Sequence, residues 1–361
     1  MNTQLKNFLV FVGMVAGISC GMGFPFPAWA QQPQPGEHHL SHPLVTAQIL
    51  LVESIALTER GLQDSSTIMK TVTDQLSKAG FTVVSSPDQP HDAVVRVKCE
   101  ERQTWTGPSK LRNTSPVPTS RLWKGPACHI SYRYEDQSPN WSWDVRTPFE
   151  HSEEVAKDAG TADSGAFALQ ALQTQLAQDD FPLYLAAEWG QSDRLIRLWQ
   201  QETELDRRLL ILQLLGPLPS PTVLATLQRA VEDPALAVTA ITALGEQGEV
   251  GIPTLASILE RHSPTPQQLA AIQALGKIAT HSQAPALFDQ FVRLLKSEDP
   301  RVQTMAARSL GQLGDRRAIT PLKTLSLQAW TDPSTHLDMQ ALREAVSWSL
   351  WQLTPSAHSE E

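Results

Sequence analysis

Four sets of side chains in this sequence have the types and spacing to do chemistry. Glu37, His38, His39 and His42 place three imidazoles and a carboxylate within one short run, a donor set that suits a transition metal. That run, Gln31 to Pro43, is rich in Pro, Gln and His and has no second donor cluster or rigid element to fix a geometry, so it reads as a flexible lead-in. His91, Asp92, His129 and Glu135 would converge only if two strands pair suitably, and exposed positions on strand faces account for them better. Cys99 and Cys128 each fall on the inward side of an alternating segment, one near the end of the first and one at the start of the next. If those strands are antiparallel neighbours the two sulfurs are within bonding range; the other reading is a pair of free buried thiols. The fourth set is Trp105, Lys110, Arg112, Arg121, Trp123 and Lys124. It lies between Arg102 and Gly125, a segment with five cations and no acid. Two readings stay open for it: a grip on an acidic partner or glycan by charge and stacking, or a solvated loop.

Reactive constellations of other kinds are missing. The sequence contains no G-x-S-x-G, H-E-x-x-H, P-loop, dinucleotide fingerprint, C-x-x-C or haem-attachment motif. Glu153-Glu154 and Asp179-Asp180 are adjacent in sequence and project to different sides, so neither makes an acid/base pair. No cofactor and no metal is implied. Within 361 residues, 29 Lys+Arg stand against 38 Asp+Glu, a formal charge of −9, which argues against nucleic acid as a partner. Hydrophobic residues at 41% and charged residues at 19% describe a folded chain with ample core.

The N-terminus reads as an address. Met1 to Asn7 carries Lys6 and no acid, and Phe8 to Phe24 is nearly without polarity. Pro25, Pro27 and Ala28-Trp29-Ala30 follow, with small residues where signal peptidase requires them, so cleavage between Ala30 and Gln31 is expected. An uncleaved anchor is disfavoured, because this apolar run is short for a hydrocarbon core of about 30 Å and contains four glycines. A lipoprotein anchored at Cys20 is disfavoured too, since Gly17-Ile18-Ser19 lacks a large aliphatic residue at −3. The expectation is a periplasmic or secreted protein with no membrane span in the mature chain. Its remaining cysteines, Cys99 and Cys128, are then expected to be bonded in an oxidising compartment.

The elements that must position these residues change character midway. Gln48 to Ile55 reads as a buried strand, although Ser41, Pro43 and Gly61 also resemble helix boundaries. Asp64 caps a helix with Ile68, Val72, Leu76 and Ala79 on its apolar side and Gly80 at its end, and Phe81 to Val84 returns as a strand. Ala93 to Glu101, Cys128 to Glu135 and Trp141 to Val145 alternate apolar and polar, which predicts an antiparallel meander with helix laid on its apolar face. From Ser164 onward the pattern is helical. Trp141, Trp143, Trp189 and Trp199 lie near the junction of the two halves and read as core.

The second half repeats. Leu215-Gly216, Ala243-Leu244-Gly245, Ala274-Leu275-Gly276 and Ser309-Leu310-Gly311 recur at intervals of 29, 31 and 35 residues. After the last three comes a second helix with proline in its first turn, at Pro253, Pro285 and Pro321. The sharpest copy runs from Asp299 to Leu322, with Pro300, Arg301, Val302, Ala306, Ala307, Arg308, Leu310, Gly311, Leu313, Gly314, Asp315, Ala318, Ile319 and Pro321 in place. These residues resemble the HEAT-repeat family, in particular the short bacterial variety first noted in phycobilisome lyases. Asp233-Pro234 with Ala240 to Gly248 is a second good copy, and Thr265-Pro266 with Ala270 to Gly276 a third that lacks the Asp and the second Gly. The resemblance covers about residues 203–353 and implies a protein-binding solenoid; it carries no bilin lyase activity to this chain.

The expected fold class is α+β: a small α/β domain with an antiparallel meander followed by an all-α, HEAT-like solenoid. The segments are a signal peptide at 1–30, a linker at 31–43 and the α/β domain at 44–160. Connecting helices at 161–202, the repeats at 203–353 and a disordered tail at 354–361 complete the chain. The expected role is a non-catalytic adaptor for a protein partner. The alternative is an enzyme or small-ligand binder with a site between the α/β domain and the solenoid.

Overall fold

The computed structural model describes residues 42–101, 125–261, 263–281, 285–331 and 336–354. The expected signal peptide with Cys20, Ala30 and Gln31 lies outside them. So do His38 and His39 of the linker, the basic segment 102–124 and the tail beyond Thr354.

Six strands make one mixed sheet in the order β2-β1-β4-β5-β6. The strand β1 (Ile49–Thr58) is its centre, pairing parallel with β4 (Ala93–Glu100) along most of its length. On its other edge it pairs antiparallel with β2 (Gly61–Gln63) near residue 57 and parallel with β3 (Thr82–Val84) near residue 50. Helix α1 (Ser66–Lys78) links β2 to β3 and buries Ile68, Val72 and Leu76, as its spacing predicts. The Asp64 carboxylate accepts hydrogen bonds from the Ser66 N–H and hydroxyl at 2.9 and 2.7 Å, one residue ahead of the formal cap Ser65. Gly80 closes the turn at φ +81°, where a side chain would be strained, and an added Cβ would also stand 3.1 Å from Arg194 Nη1.

The predicted meander is present as β4, β5 (Ala127–Arg133) and β6 (Ser142–Arg146), all antiparallel. It accounts for one half of the sheet only; the antiparallel sheet expected for residues 44–160 is mixed, because β1 inserts between β2/β3 and β4 with parallel partners. Parallel strands are commonly buried on both faces. That is why Leu50, Leu51 and Val52 on β1, and Ala93, Val94 and Val95 on β4, are buried without alternation.

Fourteen helices among the described residues include α2 (Ser152–Asp158), α3 (Ser164–Gln178), α4 (Phe181–Glu188) and α5 (Ser192–Gln201). The repeat pairs follow: α6 (Leu205–Leu215) with α7 (Pro221–Val231), and α8 (Ala237–Glu246) with α9 (Ile252–Glu260). Then come α10 (Thr265–His281) with α11 (Pro285–Leu294), and α12 (Pro300–Leu313) with α13 (Ile319–Thr331). A single last helix, α14 (Leu337–Leu353), packs on α12 and α13. The first helices of the pairs stack in a row, α6-α8-α10-α12-α14, each touching the next. Such helices carry apolar residues on two sides and must share them with neighbours to be buried.

Repeated aspartates start elements: Asp233, Asp299 and Asp315 accept the backbone N–H of Ala235, Arg301 and Arg317. The glycines divide two roles that the sequence pattern joins. Gly248 and Gly314 take the left-handed conformation, at φ +67° and +74°. Gly216, Gly245, Gly276 and Gly311 instead allow close approach of the next helix in the row. An added Cβ would meet Ala243 Cα at 3.2 Å, Ala274 Cβ at 2.8 Å, Ser309 Oγ at 2.8 Å and Ser349 Oγ at 2.7 Å respectively.

The described residues all belong to one compact unit, residues 40–361. Arg194 of α5 rivets the sheet to the helices. Its guanidinium is buried, lies 3.7 Å from the centre of the Phe81 ring, and donates to Ala79 O, Ala47 O and Gln48 Oε1 at 2.8 to 3.1 Å. Gln191 receives a further bond from Arg194 and donates to Leu44 O and Ala47 O. Burial pulls the Arg194 pKa down to about 10, which still leaves it charged at neutral pH.

Candidate functional site

Cys99 and Cys128 stand directly opposite one another on β4 and β5 and form a disulfide with S–S 2.04 Å. The bond spans a sequence separation of 29 and fixes both ends of the segment that carries Trp105, Lys110, Arg112, Arg121, Trp123 and Lys124. A second tie sits beside it. Glu101, buried, accepts the Glu59 N–H at 3.0 Å and the hydroxyls of Ser164 and Ser152 at 2.8 and 3.3 Å. On the returning side, Pro126 O accepts the Thr147 N–H.

The sheet face turned away from the main core is polar and carries charge pairs in rows. Glu53 bridges Arg96 at 2.9 Å and Arg133 at 3.0 Å. Burial raises the Glu53 pKa, but the bonds from the two guanidinium groups outweigh it and hold the carboxyl below its ordinary value. Asp144 behaves likewise: burial is outweighed by bonds from His129 and Arg146.

Of the four dispersed candidates, His91, Asp92 and Glu135 line one hollow of about 510 Å³ at the sheet's end, with Arg133 and Tyr134. His129 does not join them; it sits opposite Lys98 and bonds Asp144. The Asp92 carboxylate is spent on the backbone N–H groups of Gln48 and Ile49, at 2.7 and 2.8 Å. Both bonds fall on Oδ2, which makes Asp92 a clamp on the start of β1. Among the described residues no group of three or more His, Cys, Asp and Glu side chains is placed to hold a metal ion.

The junction of sheet and helices is dominated by aromatic packing. Trp189 and Trp199 are buried, Trp143 stacks on Tyr184 at 4.2 Å, and Tyr132 meets Trp189 edge-on at 5.2 Å. The Trp143 indole donates to Asp179, whose carboxyl burial raises above its ordinary pKa despite that bond. Trp189 and Trp199 are core, and Trp141 and Trp143 are half-buried against it. The hollow left between α1 and α4 to α6, lined by Lys78, Pro182, Glu202 and Arg207 among others, is about 160 Å³.

The helical array presents two further hollows. On the row of first helices, Thr242, Glu246, Gln273, Lys277, Thr280 and Gln312 surround about 450 Å³ across α8, α10 and α12. Lys277 and Glu246 join neighbouring helices there at 2.5 Å. On the row of second helices, Gln228, Glu232, Thr254, Ser257 and Arg261 line about 300 Å³ between α7 and α9. Both are formed by residues from consecutive repeats; the second is mainly polar, whereas the first mixes those polar side chains with Gly245, Ala270 and Ala274. The sequence offered no signal for them, because an exposed Gln or Thr on a repeat helix breaks no pattern.

Residues 252–343 match the family model described as HEAT repeats. That span holds two complete helix pairs, the second helix of the pair before them and the start of α14. No curated protein matches the chain, and the sheet-bearing region has no recognised family.

Proposed function

We propose that this chain is an exported, non-catalytic scaffold that holds a protein partner on the row α8-α10-α12. The observation that carries the reading is the 450 Å³ hollow there, built from side chains of three successive repeats. HEAT repeats generally mediate contacts between proteins. Repetition of an open surface of mixed polar and small apolar side chains suits an extended partner, which gains many modest contacts rather than one deep pocket. The sheet domain supplies the second contact through the basic segment 102–124, tethered at Cys99–Cys128. Export is supported by the leader-like residues 1–30 and by a disulfide, which persists in oxidising compartments.

The test is co-purification from the native compartment with Gln273→Arg and Lys277→Glu introduced together at exposed or half-exposed positions. A partner recovered with the natural chain and lost with the variant, at unchanged circular dichroism, supports the reading. Equal recovery with both contradicts it. The alternative, an enzyme or small-ligand site between sheet and helices, would use the hollow lined by Lys78, Glu202 and Arg207. A substitution at Arg207 that abolishes binding of a small molecule would favour it.

A further inference from the structure

The row of first helices follows a register rule that its last member breaks. In α8, α10 and α12 a small residue (Ala243, Ala274, Ser309) receives the glycine of the preceding helix, and two positions later a glycine receives the next helix. In α14 the small residue is Ser349, against Gly311, and two positions later stands Trp351. Two residues advance about 200° around a helix, so Trp351 points where a further repeat would stack. Leu337, Glu344 and Trp348 share that stripe at helical spacing, opposite the buried Leu342, Ala345, Val346, Ser349 and Leu353. Trp330 at the end of α13 lies on the α14 side, with the Arg343 guanidinium 5.4 Å from its ring centre.

We propose that this terminal face is an interface between two copies of the chain, joined about a twofold axis through Trp348 and Trp351. An indole at the glycine position keeps away any helix that would stack as α8, α10 and α12 do, so the occupant must meet α14 side chain to side chain. Trp330, Trp348 and Trp351 are 64%, 39% and 69% exposed, and Leu337 is 72% exposed. With aromatic side chains of up to roughly 250 Å², these four offer on the order of 500–600 Å², the greater part of the roughly 800 Å² per partner of a standard interface. Charge permits it. In a chain of formal charge −9, α13 and α14 carry Lys323 and Arg343 against Asp338 and Glu344, so two copies approach here without net repulsion. A twofold contact is also self-complementary, which lets one apolar stripe cover another.

Sedimentation velocity on the protein in the form in which cells accumulate it tests this, across micromolar concentrations. The expected result is a reversible dimer, weakened at least about tenfold by Trp348→Ser with Trp351→Ser. Leu62→Ser, at a 75% exposed leucine on β2, should leave it unchanged. Both tryptophans are exposed on the helix surface, so unaltered circular dichroism is expected and separates loss of contact from loss of fold. A chain that stays monomeric throughout overturns the proposal, as does a dimer that survives the double substitution. A monomer whose indole emission shifts when residues 355–361 are removed also overturns it, and assigns the face to the chain's own tail. The scaffold reading does not depend on the outcome.

Discussion

Gly311 of α12 lies against Ser349 of α14 so closely that a Cβ on Gly311 would stand 2.8 Å from the serine Cβ and 2.9 Å from its Cα. The Ser349 hydroxyl lies within donating distance of Ala307 O on α12 at 2.8 Å and of Ala345 O on its own helix at 2.7 Å, which places it at the seam between the two helices. The last helix is thus seated by the same glycine device that joins each earlier pair of neighbours in the row.

Gly311→Ala decides between two effects of opposite sign. Alanine favours a helix interior by up to about 1 kcal/mol, whereas forcing a methyl into a packed contact costs about 1–3 kcal/mol. Here the obstructing atoms include backbone, which cannot swing aside, so overpacking prevails. Urea denaturation should show a net loss of about 1–2 kcal/mol. A midpoint at or above that of the natural chain would contradict the close approach.

Arg194 is held by two backbone carbonyl oxygens and two side-chain amides rather than by a carboxylate. Replacing it by Met removes the charge and takes the Arg194 donors from Ala79 O and Gln48 Oε1, while Ala47 O keeps only its bond from Gln191. A loss of about 2–4 kcal/mol is expected in the same assay. Hydrogen exchange should rise first at Val45, Ala47 and Phe81, around the turn that Arg194 pins. A neutral effect would mean that the sheet and α5 are held by apolar packing alone.

Reduction of Cys99–Cys128 releases a loop of 29 residues' separation. The loop-entropy relation puts the loss at about 3–4 kcal/mol. Thermal unfolding with and without a thiol reductant measures it. Two free thiols in the native oxidised protein would contradict the bond itself.

His42 titrates against the fold. Burial lowers its pKa, its Nδ1 accepts the Leu44 N–H at 3.1 Å, and its Nε2 faces the Tyr132 hydroxyl at 3.2 Å. The unfolded chain takes up a proton near the ordinary value of 6.5 while the folded chain resists. Stability should therefore be full above pH 6.5 and fall as the pH drops from there towards the lowered folded value. Glu188, whose pKa burial raises, works in the other sense: its folded form holds a proton longer, so stability falls as the pH rises from the unfolded value through the folded one. In pH-dependent urea titrations His42→Gln should remove the part of the loss that begins near pH 6.5, leaving the loss at lower pH that Glu53 and Asp144 contribute. An unchanged slope just below pH 6.5 would contradict the assignment.

Local pattern carried much of this architecture. Alternation in Ala93 to Glu101 and Cys128 to Glu135 placed both cysteines inward at one end of a strand pair, and Ala-Leu-Gly spacing marked the helical row. Partners distant in sequence were not legible. Nothing in Ile49–Thr58 says that it runs parallel to Ala93–Glu100, because a buried apolar run suits any interior neighbour. Arg194 reads as a solvated cation on a helix, since its acceptors at Ala79 and Ala47 are 115 and 147 residues away. The pattern also merged two glycine roles, which only backbone geometry separates: Gly314 by its φ, Gly311 by what touches it. Of the candidate site, the disulfide was legible and the hollow around Gln273 was not, because exposed polar residues on a repeat obey no period.

The most direct test of the scaffold reading is photo-crosslinking in the producing cell. A photoreactive residue would be placed in turn at Gln273 on the α8-α10-α12 row and at Ser131 on the sheet's polar face. The prediction is one discrete crosslinked protein from position 273, diminished by Lys277→Glu. Crosslinking absent at 273, or indifferent to Lys277→Glu, would contradict the claim that this row holds the partner.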